Sequence, residues 1–176
     1  MIDPIQKLDF LPSGHFYDMV NTYNTSVSGL LLYHSHFQPT LDALNVQKQG
    51  KLVGIGSRIY PALEIRPHEI ISLINNGFIN LGQVTDNLSY MLLNIAYESV
   101  KQLLNINNPV HEFFRHLRHG ASHGGKWSLI GEEPKRNAEW RGRKVTKDLQ
   151  GKKLWELDLG PGDLMVLLWD IEQTLR

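Results

Sequence analysis

The sequence predicts an all-α fold, a helical bundle of about five helices with an inserted irregular segment or β-hairpin near residues 126–159. Apolar residues recur every three or four positions over residues 81–105 and again over residues 161–175, which is the spacing of amphipathic helices. Glycines and prolines interrupt residues 126–159, and helical periodicity disappears there. A chain of 176 residues, 41% hydrophobic, suits one domain, so we assign residues 1–176 to a single domain.

The first part of the chain carries weak helix signals. Residues 1–13 are expected to form an irregular lead-in that contains two prolines. We predict helices from about residue 15 to 25 and over residues 26–44. Residues 46–66 are polar and contain glycines, which indicates a loop with short extended pieces.

Two helices are predicted in the middle of the chain. Pro67 begins a short helix that ends at about Asn75, before Asn76-Gly77. The longest predicted helix covers residues 81–105 and carries its apolar residues on one face. These residues are Leu81, Val84, Leu88, Met91, Leu92, Ile95, Val100, Leu103 and Leu104.

The last part of the chain begins with a helix from Val110 to about Ser122, which Gly124-Gly125 ends. Residues 141–149 and 152–157 are predicted to pair as a hairpin that turns near Gln150-Gly151.

A final helix follows Gly160-Pro161-Gly162-Asp163. Its leucines and isoleucine recur at helical spacing and face the core. This register directs Asp170 and Glu172 away from the apolar stripe.

Composition excludes several classes of function. The chain has no cysteine, so disulfide scaffolds, thiol catalysis and cysteine-ligated metal sites are excluded. No apolar run reaches about eighteen residues, the length that a membrane-spanning helix needs. The N-terminus lacks a basic region followed by an apolar one, so no signal peptide is expected. We therefore expect a cytoplasmic protein without a membrane partner.

Charge is distributed unevenly although the chain is neutral. Residues 111–153 hold eleven basic and five acidic residues, a net charge of +6, together with four of the eight histidines. Such an excess attracts phosphate or nucleic acid. A solvated basic loop, balanced by acidic residues nearby in space, is the alternative.

The densest polar cluster lies over residues 111–125, on the predicted helix and its C-terminal exit. Phenylalanines and Leu117 supply an apolar face, and basic and polar residues project from the other faces. Gly120 weakens a helix interior by up to about 1 kcal/mol relative to alanine. Close approach of another backbone or of a ligand explains a glycine at this position.

The run Arg118-His119-Gly120-Ala121-Ser122-His123 resembles the Arg-polar-x-x-x-His motif of HEPN domains. The long helix before it, the Asn108-Pro109 break and the Gly124-Gly125 exit are similar to that family's layout. The similarity covers residues 80–176 and extends to a bacterial subgroup of the family. His119 occupies the polar position, where Asn or Asp is more usual.

The resemblance implies a four- or five-helix bundle that forms homodimers. Many HEPN proteins are metal-independent endoribonucleases linked to toxin–antitoxin and phage-defence systems, and others bind nucleotides or RNA without cleaving it. Carried over to this chain, the family's motif makes Arg118, His123 and His119 the candidate catalytic residues. It also implies RNA or a nucleotide as partner, an antitoxin protein as a further one, and no cofactor.

Metal-independent RNA cleavage has requirements that these residue types meet. The 2′-hydroxyl is the nucleophile, so the reaction needs a base, an acid for the leaving oxygen and a cation for the phosphorane charge. Histidine serves as acid or base, and arginine grips phosphate oxygens. Arg118 and His123 lie about 140° apart around an ideal helix, so a two-fold dimer cleft is the expected site.

Further residues are candidates for binding the substrate: Arg115, Ser122, Lys126, Trp127, Trp140 and Arg141. The tryptophans would stack on bases, although tryptophan is also common in cores. His116, His119 and His123 share one helical face, yet the arginines between them repel a cation, so no metal is expected.

Two alternatives stay open. The first is a non-catalytic module that binds a nucleotide, RNA or a protein partner through the basic segment. The second is a dimerisation protein in which Arg118 and His123 are structural. His34-x-His36 lacks a third ligand and reads as ordinary surface.

Overall fold

The structure is a computed structural model that describes residues 8–29, 53–55, 63–65, 67–129, 131 and 134–175. The described residues are mostly helical, as predicted, with two small antiparallel sheets. Those of Met1–Asn24 and Thr85–Arg176 form one compact unit, and those of Thr25–Val84 form another. The single domain expected over residues 1–176 stays a prediction. No described helix is long and apolar enough to span a bilayer.

The Thr25–Val84 unit contains the short extended pieces that the sequence predicts. Strands β1 (Val53–Ile55) and β2 (Leu63–Ile65) pair antiparallel. Helix α2 (Pro67–Asn75) has the predicted bounds, and Gly77 at φ 75° follows it. The predicted helix over residues 26–44 lies outside the described residues from residue 30 onward, as do His34 and His36.

Helix α1 covers residues 17–29, so it begins two residues later than predicted and continues without a break into the second helix predicted over residues 26–44. Val20 and Tyr23 line its buried side, and Phe16, directly before the helix, is fully buried as well. The Tyr23 hydroxyl lies 2.9 Å from Ser89 Oγ. Because Ser89 Oγ donates to the Thr85 carbonyl at 2.9 Å, the tyrosine is the donor of this buried pair.

Helix α3 (Leu81–Val100) ends five residues before the predicted position. The Asn105 N–H donates to His111 Nδ1 at 2.9 Å instead of continuing the helical ladder. The predicted apolar stripe is partly wrong, because Met91 and Ile95 are 59% and 54% exposed. The buried face is narrower and uses smaller side chains: Ser89, Leu92, Leu93, Ala96 and Val100.

Helix α4 (Pro109–Ser122) begins one residue before the predicted Val110 and ends at the predicted Ser122. Asn108 caps it, with the Val110 N–H donating to Asn108 Oδ1 at 2.9 Å. Helix α4 is the central helix of its unit, and its most exposed residue, Ser122, lies at its C-terminal end. Its buried residues occupy most of its circumference: His111, Glu112, Phe113, Phe114, His116, Leu117, Gly120 and Ala121.

Gly120 lets the segments that follow α4 pack directly against it. A Cβ on Gly120 would lie 2.5 Å from Leu154 Cδ2 and 2.8 Å from the Lys126 carbonyl oxygen. Both distances are too short for real atoms, so the close approach expected at this glycine is confirmed.

The predicted hairpin turning at Gln150-Gly151 is wrong. Strands β3 (Glu139–Trp140) and β4 (Arg143–Lys144) form the hairpin, and Arg141 and Gly142 turn it at φ 47° and 78°. Positive φ at both central residues is the geometry of a two-residue hairpin loop. Gln150 at φ −48° and Gly151 at φ 77° instead approach a type II turn, which splays the flanking chain. A single 3₁₀ turn lies on each side of Gln150-Gly151, at Lys147–Leu149 and at Leu154–Glu156.

Helix α5 (Pro161–Thr174) buries the predicted apolar stripe of Leu164, Leu167, Leu168 and Ile171. The placement of Glu172 away from the core is wrong, because this side chain is 2% exposed. Glu172 occupies the space that a Cβ on Gly14 would take, so the lead-in to α1 covers it.

We expect Gly120→Ala to lower the free energy of unfolding by about 1–2 kcal/mol, because the overlap with Leu154 and Lys126 outweighs the helix propensity gained. Urea titration monitored by circular dichroism measures the change. Gly162→Ala is the matched control, since a Cβ on this glycine of α5 would meet nothing within 4 Å. A control variant as destabilised as the Gly120 variant contradicts the packing argument.

We expect His111 to make stability depend on pH. Burial lowers the pKa of His111, and its Nδ1 already accepts the Asn105 N–H. The unfolded chain therefore takes up the proton at higher pH than the folded one. Stability is complete above the unfolded value, about 6.5, and falls as the pH drops below it.

Thermal unfolding at pH 7.5 and pH 5.5 tests this expectation. His111→Gln should flatten the difference between the two melting temperatures, whereas His15→Gln, at an exposed histidine, should preserve it. An unchanged difference in the His111 variant would refute the assignment.

Candidate functional site

The motif residues lie on the last turn and a half of α4 and at its C-terminal cap. Arg118 and His119 are half-buried, and Ser122 and His123 are exposed. His123 is the C-cap residue, and its N–H donates to the Gly120 carbonyl at 3.0 Å. The end of α4 thus presents several polar side chains close to the surface.

Arg118 reaches across to α3. Its Nη2 donates to Glu98 Oε1 at 2.7 Å, and its guanidinium lies 5.2 Å from the centre of the Tyr97 ring. The Arg118 side chain keeps 29% of its surface exposed. Its Nε is buried and has no hydrogen-bond partner among the residues described. Arg118 is therefore held but retains an unused donor.

Glu98 is shared between two cations on the protein surface. Lys101 Nζ lies 2.5 Å from Glu98 Oε2, while Arg118 occupies the other oxygen. The hydrogen bond from Lys101 and the charge and hydrogen bond of Arg118 lower the pKa of Glu98 below its ordinary value. Glu98 is thus a carboxylate partner of Arg118 at neutral pH.

His119 and His123 form the closest pair of ionisable side chains in the motif. Their ring centres lie 4.4 Å apart with the planes inclined at 60°. Four residues advance a helix by about 40° beyond one full turn, so the two rings share one side of α4. The structure therefore brings these imidazoles together, whereas Arg118 turns toward α3.

Ser122 ties α4 to α3. Its Oγ lies 2.6 Å from Asn94 Oδ1 and 3.2 Å from the Arg118 carbonyl oxygen. Asn94 Nδ2 in turn donates to the Tyr90 carbonyl at 2.8 Å. The hydroxyl predicted to bind substrate thus holds the two helices together at the site.

Gly125 fixes the exit of the chain from α4. Its φ is 75°, and a Cβ there would overlap the Tyr90 hydroxyl. Tyr90 also stacks on Trp155, with ring centres 5.5 Å apart. Burial, followed by the charge of Asp86, raises the pKa of Tyr90. The exit segment is therefore packed against α3 by an aromatic side chain.

Arg115 is engaged away from the motif. Its Nη2 lies 3.0 Å from Glu112 Oε2 and 3.0 Å from His116 Nε2. Glu112 and His116 are 2% and 1% exposed. Arg115, which the sequence predicts to bind substrate, is thus bound to two buried side chains within α4, while its own side chain keeps 31% of its surface exposed.

The stacking role expected of Trp127 and Trp140 is withdrawn, because these indoles are 1% and 2% exposed. Trp140 Nε1 donates to Asp170 Oδ2 at 2.7 Å. Arg141 binds both oxygens of the same carboxylate, at 2.8 and 3.0 Å. Burial raises the pKa of Asp170, but the hydrogen bonds from Arg141 and Trp140 outweigh it and lower the pKa overall. Arg141 therefore secures α5 to the β3–β4 hairpin.

Lys126 is exposed and lies in a single antiparallel bridge opposite Lys153. The three-histidine face considered for a metal does not form, since His116 is buried beside Glu112. Among the described residues no group of three or more histidine and acidic side chains is placed to hold a metal ion.

Several residues of the site were missed by the sequence reasoning. One face of α3 carries polar and aromatic residues at three- and four-residue spacing. Tyr90 is followed four residues later by Asn94, which in turn is followed by Tyr97 and Glu98 three and four residues later. A polar and aromatic stripe beside the apolar one is the signal that could have found them. No comparable pattern in the sequence indicates Lys153, which lies opposite Lys126.

Comparison of the chain with protein-family models, with curated proteins and with solved structures gave no match.

We expect two glutamates to respond differently to neutralisation. Glu112→Gln should lower the free energy of unfolding by about 3 kcal/mol, because the buried Arg115 and His116 contacts lose their carboxylate. Glu98→Gln should leave the urea midpoint almost unchanged, because that carboxylate is exposed. Equal losses in the two variants would contradict the conclusion that the Glu112–Arg115 contact stabilises the fold and the Glu98–Arg118 contact does not.

Proposed function

We propose that this chain is a metal-independent endoribonuclease of the HEPN type, active at the C-terminal end of α4. The observation that carries the proposal is the pair of imidazoles of His119 and His123, whose ring centres lie 4.4 Å apart. His119 directly follows Arg118 in the sequence. These are the groups that cleavage by the ribose 2′-hydroxyl requires.

The reaction is a transesterification within the RNA. One imidazole takes the proton from the 2′-hydroxyl as its oxygen attacks the adjacent phosphorus. The other gives a proton to the 5′-oxygen as the phosphorus–oxygen bond to it breaks. The products are a 2′,3′-cyclic phosphate and a 5′-hydroxyl, and no metal or cofactor takes part.

Arg118 supplies the charge for the phosphorane. A guanidinium binds two phosphate oxygens at once, and its interaction strengthens as negative charge develops. The contact with Glu98 is exposed, so a phosphate can replace that carboxylate at low cost. The Tyr97 ring, 5.2 Å from the guanidinium, keeps the arginine in position during the exchange.

The departure from the family's motif at His119 fits this division of roles. A histidine at the usual Asn or Asp position gives one chain both proton carriers. A homodimer cleft would then serve to bring a second Arg118 and the RNA together, because Arg118 faces α3 and lies about 100° around the helix from His119.

A non-catalytic RNA- or nucleotide-binding module is the second candidate. The observation that favours it is the Glu98 contact, which partly neutralises Arg118 within one chain. Such a module would bind RNA with an affinity that falls steeply with salt, and would release no products.

We expect the purified protein to cleave single-stranded RNA in the presence of EDTA, leaving 2′,3′-cyclic phosphate ends. His119→Ala and His123→Ala should each reduce the rate by at least about 100-fold, and Arg118→Ala by a similar factor. Denaturing gels of an end-labelled oligonucleotide measure the rates. Circular dichroism and gel filtration establish that fold and oligomeric state persist.

His15→Ala is the matched control, because His15 is an exposed histidine outside the motif. It should cleave like the parent protein, and a 2′-O-methyl RNA should resist cleavage throughout. Full activity of the His123 variant, or RNA binding by the parent protein without products, would overturn the ribonuclease proposal.

A further inference from the structure

Two lysines face each other at the exit of α4. Lys126 and Lys153 are partners in an antiparallel bridge, and directly opposite residues of such a pair project from the same face. The bridge is held on both sides: the Trp127 N–H donates to the Lys152 carbonyl at 2.8 Å, and the Leu154 N–H to the Gly125 carbonyl at 2.9 Å. The two ammonium stems are thus fixed side by side at their roots.

The pair has no counter-charge in the part of the chain that the structure describes. Both lysines are exposed, and neither forms an ion pair with a described carboxylate. By contrast, Lys152, the neighbour of Lys153, reaches Asp148 at 3.4 Å, and Lys101 reaches Glu98. Like charges directly opposite one another destabilise a pair of strands, and an anion bound between the two ammonium groups would relieve that repulsion.

The pair lies at the same end of α4 as the imidazoles. The Lys126 carbonyl oxygen contacts Gly120, the residue after His119. Lys126 follows His123 by three residues, so their Cα atoms are at most about 11 Å apart. An anion held by the two ammonium groups would therefore lie beside the proposed reaction centre.

We propose that Lys126 and Lys153 form a phosphate subsite that holds one phosphodiester of the RNA next to the scissile one. This inference rests on the ribonuclease proposal for the identity of the ligand. Two ammonium groups on one phosphate act as point charges that read no base, so the subsite positions the strand without selecting its sequence.

A non-cleavable 2′-O-methyl oligoribonucleotide tests the subsite independently of catalysis. Lys126→Gln and Lys153→Gln should each weaken binding by about tenfold at low salt, the loss of one charge-assisted contact. The double variant should lose less than the sum of the two single losses, because the two charges share one phosphate. Its plot of log affinity against log salt should be shallower by about 0.7.

A double variant elsewhere separates a defined subsite from diffuse attraction. Lys144 and Lys147 are exposed lysines of the same region, so Lys144→Gln with Lys147→Gln removes the same charge. That control should bind within about twofold of the parent protein. Equal losses in the two double variants, or additive losses at Lys126 and Lys153, would overturn the proposal.

Two further measurements separate the possible failures. The Lys126/Lys153 double variant should melt no lower than the parent protein, since it loses a repulsion; a lower melting temperature would mean a structural role and contradict the subsite. Stabilisation of the parent by inorganic phosphate alone, with unaltered oligonucleotide binding in the double variant, would assign the site to free phosphate instead of RNA. If RNA binding depends on the lysine pair but no cleavage occurs, the phosphate subsite is supported and the ribonuclease proposal is overturned.

Discussion

The close approach at Gly120 is the constraint on which the rest of this unit depends. The Lys126 carbonyl and the Leu154 side chain contact α4 where a Cβ would stand. This contact brings two distant stretches of the chain onto the last turn of the helix. The bridge between Lys126 and Lys153 therefore lies at the C-terminal end of α4. The absence of a Cβ at Gly120 thus allows both segments to pack against the last turn of α4.

The positive charge of the basic segment is divided in space between two uses. Arg115 is tied into the network of Glu112 and His116, and Arg141 holds Asp170. These cations bind carboxylates that hold elements of the fold together. Arg118 and the lysine pair are the cations that lie near the surface at the exit of α4. A charge excess that is spread along a segment of the sequence thus becomes localised after folding.

The sequence predicted what depends on local patterns. Helices α2 and α4 lie within one residue of their predicted bounds because proline, asparagine and glycine mark their ends. A glycine inside a helix likewise predicted the close approach at Gly120. Other features depend on contacts and backbone angles that these patterns do not show. The Asn105 N–H donates to His111 instead of to a helical carbonyl, and the hairpin turns at Arg141-Gly142, where both φ values are positive. At Gln150-Gly151 only the glycine has a positive φ. The partners of the site lie on α3, and no pattern within α4 could show which face of α3 would meet it.

Arg115, Arg141 and Arg118 also differ in how buried their carboxylate partners are, and therefore in the cost of leaving those partners. Arg115 binds a carboxylate that is 2% exposed, so leaving it would strand a buried charge. Arg141 binds both oxygens of Asp170, which also accepts the Trp140 N–H, and its departure would break that shared contact. Arg118 makes one contact to a Glu98 carboxylate that Lys101 also neutralises. Because Glu98 is exposed and also binds Lys101, losing the Arg118 contact would cost less than losing either of the other two contacts. Of the three arginine–carboxylate contacts, the one made by Arg118 therefore contributes least to the stability of the fold.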